Sequence, residues 1–251
     1  MQDKKHRIGL LDEIKGASLL LMILYHAAYD LCFIFDVPIP FFSSAVVNIL
    51  RDFIAGTFIF IAGISSRFSR SNLRRGLYCL GFAMILTAAT YLFVPDQLIV
   101  FGVLHLIGTC ILLFALIHKL LDKLSPATGI GITAILFVLT RRVPYGYLGV
   151  PYLLEIKLPE PLSSTNYFSP LGFFNDTFFS SDYYPLLPWM FLFLCGAFAG
   201  VFLQKNRLPS RFYRSRFSFL SLVGRNTLFL YLIHQPILYG AFSLIFWLLR
   251  R

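Results

Sequence analysis

Three side chains in the stretch DEIKGASLLLMILYHAAYDL (residues 12–31) can do chemistry inside an otherwise apolar run: Lys15, His26 and Asp30. On a helix of 3.6 residues per turn, Lys15 and His26 fall within roughly 20° of one face, about 16 Å apart along the axis. Asp30 follows His26 at i+4 on the same face. A carboxylate one turn from an imidazole can fix its tautomer and raise its basicity, which are the requirements of a general base. Simpler readings exist for each. Lys15 can be a snorkelling anchor, and His26 a structural histidine bonded within a bundle.

Further candidates lie in other apolar runs. Arg51 and Asp52 sit in the second, and His105 lies in FGVLHLIGT. Asp52 and His105 are each seven residues from the expected outer ends of their spans, about 10 Å deep at 1.5 Å per residue, and His26 is nine. Three polar groups from three helices are thus expected at one depth in the outer half. The alternative is a polar network that holds helices together. The last run, GRNTLFLYLIHQPILYG, places Thr227, Tyr231 and His234 on one face with Arg225 opposite. Pro236 removes a backbone donor and frees the Leu232 carbonyl, so a kink near mid-membrane is expected. His6 and His118 fall at cytosolic edges and receive no role. No P-loop, GxGxxG, GxSxG or HExxH is present. No metal is expected, because the histidines lack zinc-site spacing, although three from different helices remain open.

The elements that must carry these residues are membrane helices. The chain of 251 residues is 57% hydrophobic and only 14% charged, against about a quarter charged in soluble domains. Several apolar runs approach the ~20 residues a spanning helix needs, and period-2 alternation is absent. The expected fold is all-α, a polytopic bundle forming one domain over 1–251. Its seven spans are 14–35, 45–66, 73–94, 98–120, 127–142, 185–203 and 222–248. An eighth arises if 143–184 holds a short or re-entrant segment, which would also move the C-terminus inside.

The net charge of +10 does not indicate nucleic acid, because the basic residues sit between the apolar runs. Lys4, Lys5 and Arg7 precede the first run. Arg67, Arg70, Arg74 and Arg75 follow the second, and Lys205, Arg207, Arg211, Arg214 and Arg216 precede the last. Under the positive-inside rule this puts the N-terminus in the cytosol. Arg141, Arg142, Arg250 and Arg251 are exceptions. Cys32, Cys79, Cys110 and Cys195 lie in apolar runs and read as small buried residues. The region 143–184 is the one long connection, rich in Pro, Gly, Asn and aromatics. It is expected to be a lid over an outward-facing cavity or an interfacial belt segment. No internal repeat supports an inverted-repeat transporter.

Five segments, in order, carry a family resemblance: LDEIKGASLLLMILYHAAYDL, FIFIAGISSRFSRSNLRRGL, FGVLHLIGT, YYPLLPWMFLFLCGAFAG and LVGRNTLFLYLIHQPIL. Over about residues 8–240 the chain resembles a small bacterial member of the heparan-alpha-glucosaminide N-acetyltransferase catalytic family, related to the wider transmembrane acyltransferases. The resemblance implies a bacterial plasma-membrane enzyme that passes acetyl from cytosolic acetyl-CoA to an outer amine or hydroxyl acceptor, a sugar. It places Lys15-x10-His26 where the wider group has Arg-x10-His. A lysine binds phosphate as a point charge, without arginine's bidentate fork. The lysosomal enzyme's proposed active histidine lies in the outer loop after the first helix. Here that loop, DVPIPFFSS, has none, so the chemistry falls to His26 or His105. The implied donor site comprises Lys15, Arg67, Arg70, Arg74, Arg75, Asn226 and His234. His26, Asp30, Asp52 and His105 form the implied catalytic group, with His105 and Asn226 polarising the thioester. The acceptor enters beneath the 143–184 lid. A homodimer is carried as an expectation. Two readings compete, a transporter or flippase for a polar small molecule and a noncatalytic membrane subunit.

Overall fold

The computed structural model describes residues 8–205 and 209–249. Lys4, Lys5, His6, Arg7, Arg207, Arg250 and Arg251 lie outside them. The chain is a helical membrane protein with α1 Gly9–Phe33, α2 Ala45–Phe68, α3 Asn72–Phe93, α4 Val103–Leu121, α5 Pro126–Thr140, α6 Leu186–Lys205, α7 Ser218–Arg225 and α8 Thr227–Leu249. Among the described residues, seven helical segments are long and apolar enough to cross a bilayer; the short α7 is the exception. Strands β1 Tyr147–Val150 and β2 Leu154–Lys157 pair antiparallel as one hairpin.

Local sequence chemistry sets the helix ends. Ser125 caps α5 through the Thr128 N–H, with Pro126 in the first turn, and Ser71 accepts from Arg74 N–H at the start of α3. Two expected boundaries move. Residues 98–102 stay outside α4, and Phe101 adopts a φ of +56°. The expected last span, 222–248, is two helices. They break at Asn226, whose side-chain amide donates to the Leu222 carbonyl at 3.0 Å and ends α7.

The chain forms two compact units, residues 1–58 with 207–251 and residues 59–206, with α2 divided between them. In the first unit α1 packs on α7 and α8. Gly16 lies against the Leu220 carbonyl, and Gly224 against the backbone of Asp12. Without hydrophobic driving force between helices in lipid, such close approach through small residues supplies the packing. Glu13 Oε1 ties the same contact by accepting from Ser215 Oγ and the Phe217 N–H, both at 2.9 Å, and from the Arg216 N–H. Ring contacts advance together along α1 and α8, from His26–His234 to Phe35–Phe242 and Phe35–Phe246, so the two helices run in the same direction. Parallel first and last spans fit an odd number of crossings.

The second unit pairs α3 with α4 and α5 with α6. Gly76 and Gly108 close the first pair, and Gly63 and Gly196 bring α2 against α6. The 143–184 region holds the hairpin and short 3-10 turns instead of an eighth span. Its last residues are tied to the connection before α4. Ser180 Oγ accepts from Val100 N–H, Ser181 N–H donates to Leu98, Tyr184 N–H donates to Phe101, and Asp182 Oδ2 accepts from Val103 N–H. Tyr183 donates to the Ser169 carbonyl at 2.6 Å, and burial pushes its phenol pKa up, so it remains a donor.

Candidate active site

In the first unit, α1 and α8 bring His26, Asp30, His234 and Gln235 together. The His26 and His234 ring centroids are 5.2 Å apart, at an interplanar angle of 48°. Tyr25 meets His26 edge-on at 5.8 Å, and Tyr231 lies 5.4 Å from His234. Phe42, from the connection after α1, packs on Tyr25 at 5.2 Å. Asp30, one turn beyond His26 on α1, is fully buried.

The hydrogen bonds assign the tautomer of His234. Its Nδ1 lies 2.6 Å from the Tyr231 carbonyl oxygen. A carbonyl only accepts, so Nδ1 carries the proton, and Nε2 of the neutral ring holds a lone pair. That Nε2 is buried and has no hydrogen-bond partner. Asp30 Oδ1 accepts from Gln235 Nε2 at 2.7 Å, while Asp30 Oδ2 and Gln235 Oε1 are also buried without partners. Buried polar atoms are seldom left unsatisfied. Three clustered ones, all counted as acceptors, mark a place that can receive donors such as the hydrogens of an amine or hydroxyl.

The expected Asp30-to-His26 hydrogen bond is not formed. Asp30 is engaged by Gln235, and the ring of His26 faces His234. Lys15 sits partly exposed on the same unbroken α1, so its axial separation from His26 holds. Asp52 accepts from its neighbour Arg51, Nη2 at 2.9 Å and Nε at 3.2 Å. Asn226 is exposed at the α7–α8 break.

His105 belongs to the second unit and is differently occupied. It is the third residue of α4, about 3 Å along the axis from the helix start, so the seven-residue depth expected for it does not hold. Its Nδ1 accepts the Gly102 N–H at 3.2 Å, and its Nε2 lies 3.1 Å from Thr87 Oγ1. Thr87 gives its own hydrogen to the Ile99 carbonyl, so it accepts from His105 Nε2–H. Both ring nitrogens are spent on holding the α4 start and the connection before it.

Arg67 closes the other end of this unit. Its Nε donates to the Ala197 carbonyl at 3.1 Å, Nη1 pairs with Asp122 at 2.5 Å, and the guanidinium lies 4.8 Å over the Phe114 ring. Its Nη2 is buried without a partner. Arg75 reaches Ser66 Oγ at 3.5 Å, whereas Arg70 and Arg74 are exposed. Among the described residues, no three His, Cys, Asp or Glu side chains converge as a metal site requires.

Gln235 and Glu13 were not singled out from the sequence, and Asp182 stood there only as one of four acids in the 143–184 region. Gln235 adjoins His234, and Glu13 is an acid beside Asp12 at the start of α1, so both carried a local signal. Asp182 carried none, because its partner Val103 is 79 residues away.

The family model described as "Heparan-alpha-glucosaminide N-acetyltransferase, catalytic" matches residues 7–236. The chain belongs to this family. The match takes in every candidate residue named above and ends at Pro236, directly after the His234–Gln235 pair. For the heparan-alpha-glucosaminide N-acetyltransferase catalytic family, acetyl transfer is the implied chemistry, and the seven apolar helices place it in a membrane. No curated protein and no solved structure matches the chain.

Proposed function

We propose that the chain transfers an acetyl group from cytosolic acetyl-CoA to an amine or hydroxyl of a carbohydrate acceptor across the plasma membrane of a bacterium, with its N-terminus in the cytosol. The observation that carries this reading is the unpartnered Nε2 of His234 beside His26 and Asp30. The acceptor nitrogen or oxygen attacks the thioester carbon, and its proton passes to His234 Nε2. The carbon–sulfur bond then breaks, and the imidazolium returns the proton to the CoA thiolate. Asp30 Oδ2 and Gln235 Oε1 accept hydrogen bonds from the acceptor, and His26 closes the other side of the reacting group. Lys15 attracts the donor's phosphates as a point charge, and the exposed Arg70 and Arg74 raise the local concentration of the anionic donor at the cytosolic surface.

In this reading His105 and Arg67 hold the scaffold, a narrower site than the sequence suggested. Asp52, Arg75 and Asn226 have no step in it. The test uses purified protein in proteoliposomes with acetyl-labelled acetyl-CoA and a panel of amino sugars. Labelled N-acetyl product that is lost in His234→Ala is the expected result. A folded wild-type protein that binds no acetyl-CoA and forms no product on any acceptor overturns the proposal.

A further inference from the structure

The β1–β2 hairpin leaves a membrane helix with almost no slack. Helix α5 ends at Thr140, and the candidate span that contains it continues through a 3-10 turn to Tyr145, so Gly146 alone separates that span from β1 at Tyr147. A strand beginning one residue beyond a candidate span is within reach of the membrane–water boundary. Its outward face is apolar: Tyr152 is fully exposed, Leu153 is 85% exposed, and Tyr145, Leu154 and Ile156 are exposed as well.

The hairpin's charges are already paired beside that face. Arg142 contacts Glu155 at 2.5 Å and lies 5.1 Å over the Tyr147 ring. Lys157 contacts Glu160 at 3.0 Å, and that carboxylate holds the lysine pKa up. The tip Val150-Pro151-Tyr152-Leu153-Leu154 carries no charge.

The turn gives an independent reason to assign the tip a role. Leu153 N–H donates to the Val150 carbonyl at 3.2 Å, closing a four-residue turn with Pro151 second and Tyr152 third. Tyr152 has a φ of +65°. A type II turn demands positive φ at its third residue and there favours glycine or asparagine. The chain instead keeps a large aromatic in a conformation that disfavours it, on a fully exposed side chain. Strain of this kind is retained where the side chain is needed. Tyrosine is the residue type enriched at headgroup level, with its ring toward the acyl chains and its hydroxyl in the wet layer.

We propose that the β1–β2 hairpin is a membrane-interface anchor. Its tip, Tyr152 with Leu153 and Leu154, inserts at the headgroup–acyl boundary of the leaflet in which the fifth span ends. The paired charges Arg142–Glu155 and Lys157–Glu160 stay at headgroup level. The anchor fixes the start of the 143–184 segment at the bilayer surface. This inference does not depend on the proposed reaction.

The test uses the full chain with Cys32, Cys79, Cys110 and Cys195 replaced by alanine and Tyr152→Cys labelled with the fluorophore NBD. The protein is reconstituted in phosphatidylcholine–phosphatidylglycerol vesicles. A nitroxide on carbon 5 of the lipid acyl chain is expected to quench the label several-fold more than aqueous iodide does. Quenching chiefly by iodide puts the tip in water and overturns the proposal. Protection from both quenchers puts it against protein, a second copy included, and overturns it equally. Because the replaced chain can fail to fold, the native chain is also crosslinked with phosphatidylcholine carrying an acyl-chain diazirine. Adducts within 150–156 are expected. Adducts on the exposed α5 residues Ile135 and Val138, with none on the hairpin, overturn the proposal.

Discussion

His234 inside α8 and His105 in the first turn of α4 are both buried imidazoles, and they use their nitrogens in opposite ways. His234 donates from Nδ1 to the Tyr231 carbonyl and leaves Nε2 empty-handed. His105 accepts at Nδ1 from a backbone N–H and donates from Nε2 to a threonine. The second ring is satisfied twice and has nothing left for a substrate. The first has a buried lone pair, with two further unpartnered oxygens close by. Burial alone does not distinguish a working histidine from a structural one; the inventory of its hydrogen bonds does.

Substitutions at either histidine, or around it, test this contrast. The largest effect is expected from His234→Ala, which removes the proposed base. General base catalysis is worth about 10²–10⁴-fold, or roughly 3–5 kcal/mol of barrier. We expect that loss in kcat/KM, read as labelled acetyl transferred, with little change in thermal unfolding. Next comes Arg67→Ala in the second unit. The Arg67 side chain is only 8% exposed while its partner Asp122 is 47% exposed. The substitution leaves the Ala197 carbonyl short of a donor and opens space over Phe114. A stability loss of about 3 kcal/mol is expected from thermal unfolding in detergent.

His105→Ala follows. It strips one cap from the start of α4, worth about 1–2 kcal/mol of stability, and leaves transfer within a few-fold of wild type at a permissive temperature. Activity falling as far as in His234→Ala would erase the contrast between the two histidines. The smallest effect is expected from Arg74→Ala, an exposed side chain. It should raise the KM for acetyl-CoA a few-fold at low salt, and added salt should shrink the difference, because exposed charges are screened within about 10 Å at 0.1 M.

The fold was largely legible because membrane helices announce themselves by length and apolarity. All seven spans are present with ends shifted by a few residues. The shifts that mattered came from backbone chemistry. The start of α4 moved to residue 103, where Gly102, His105 and Asp182 share the cap, and the last run broke at Asn226. The reciprocal glycines Gly16 and Gly224 were visible only as composition, since their meaning depends on which helices meet.

The site was legible by residue type and less so by partnership. Helical spacing put Asp30 and His26 on one face, but Asp30 turned to Gln235 across the helix pair. His234 earned its place from a carbonyl three residues before it, an i−3 contact within α8. Arg67 reads as one basic residue among four in sequence. Only the packing of α2, α4 and α6 shows it engaged with Ala197, Phe114 and Asp122.

The most direct measurement is the nitrogen-15 spectrum of histidine-labelled protein in lipid bilayers, with signals assigned by His234→Ala and His105→Ala. Protonated and bare ring nitrogens resonate far apart. The account predicts two neutral rings in opposite tautomers, His234 with its proton on Nδ1 and His105 with its proton on Nε2. A His234 ring protonated on Nε2 alone, or the same tautomer at both positions, would contradict it.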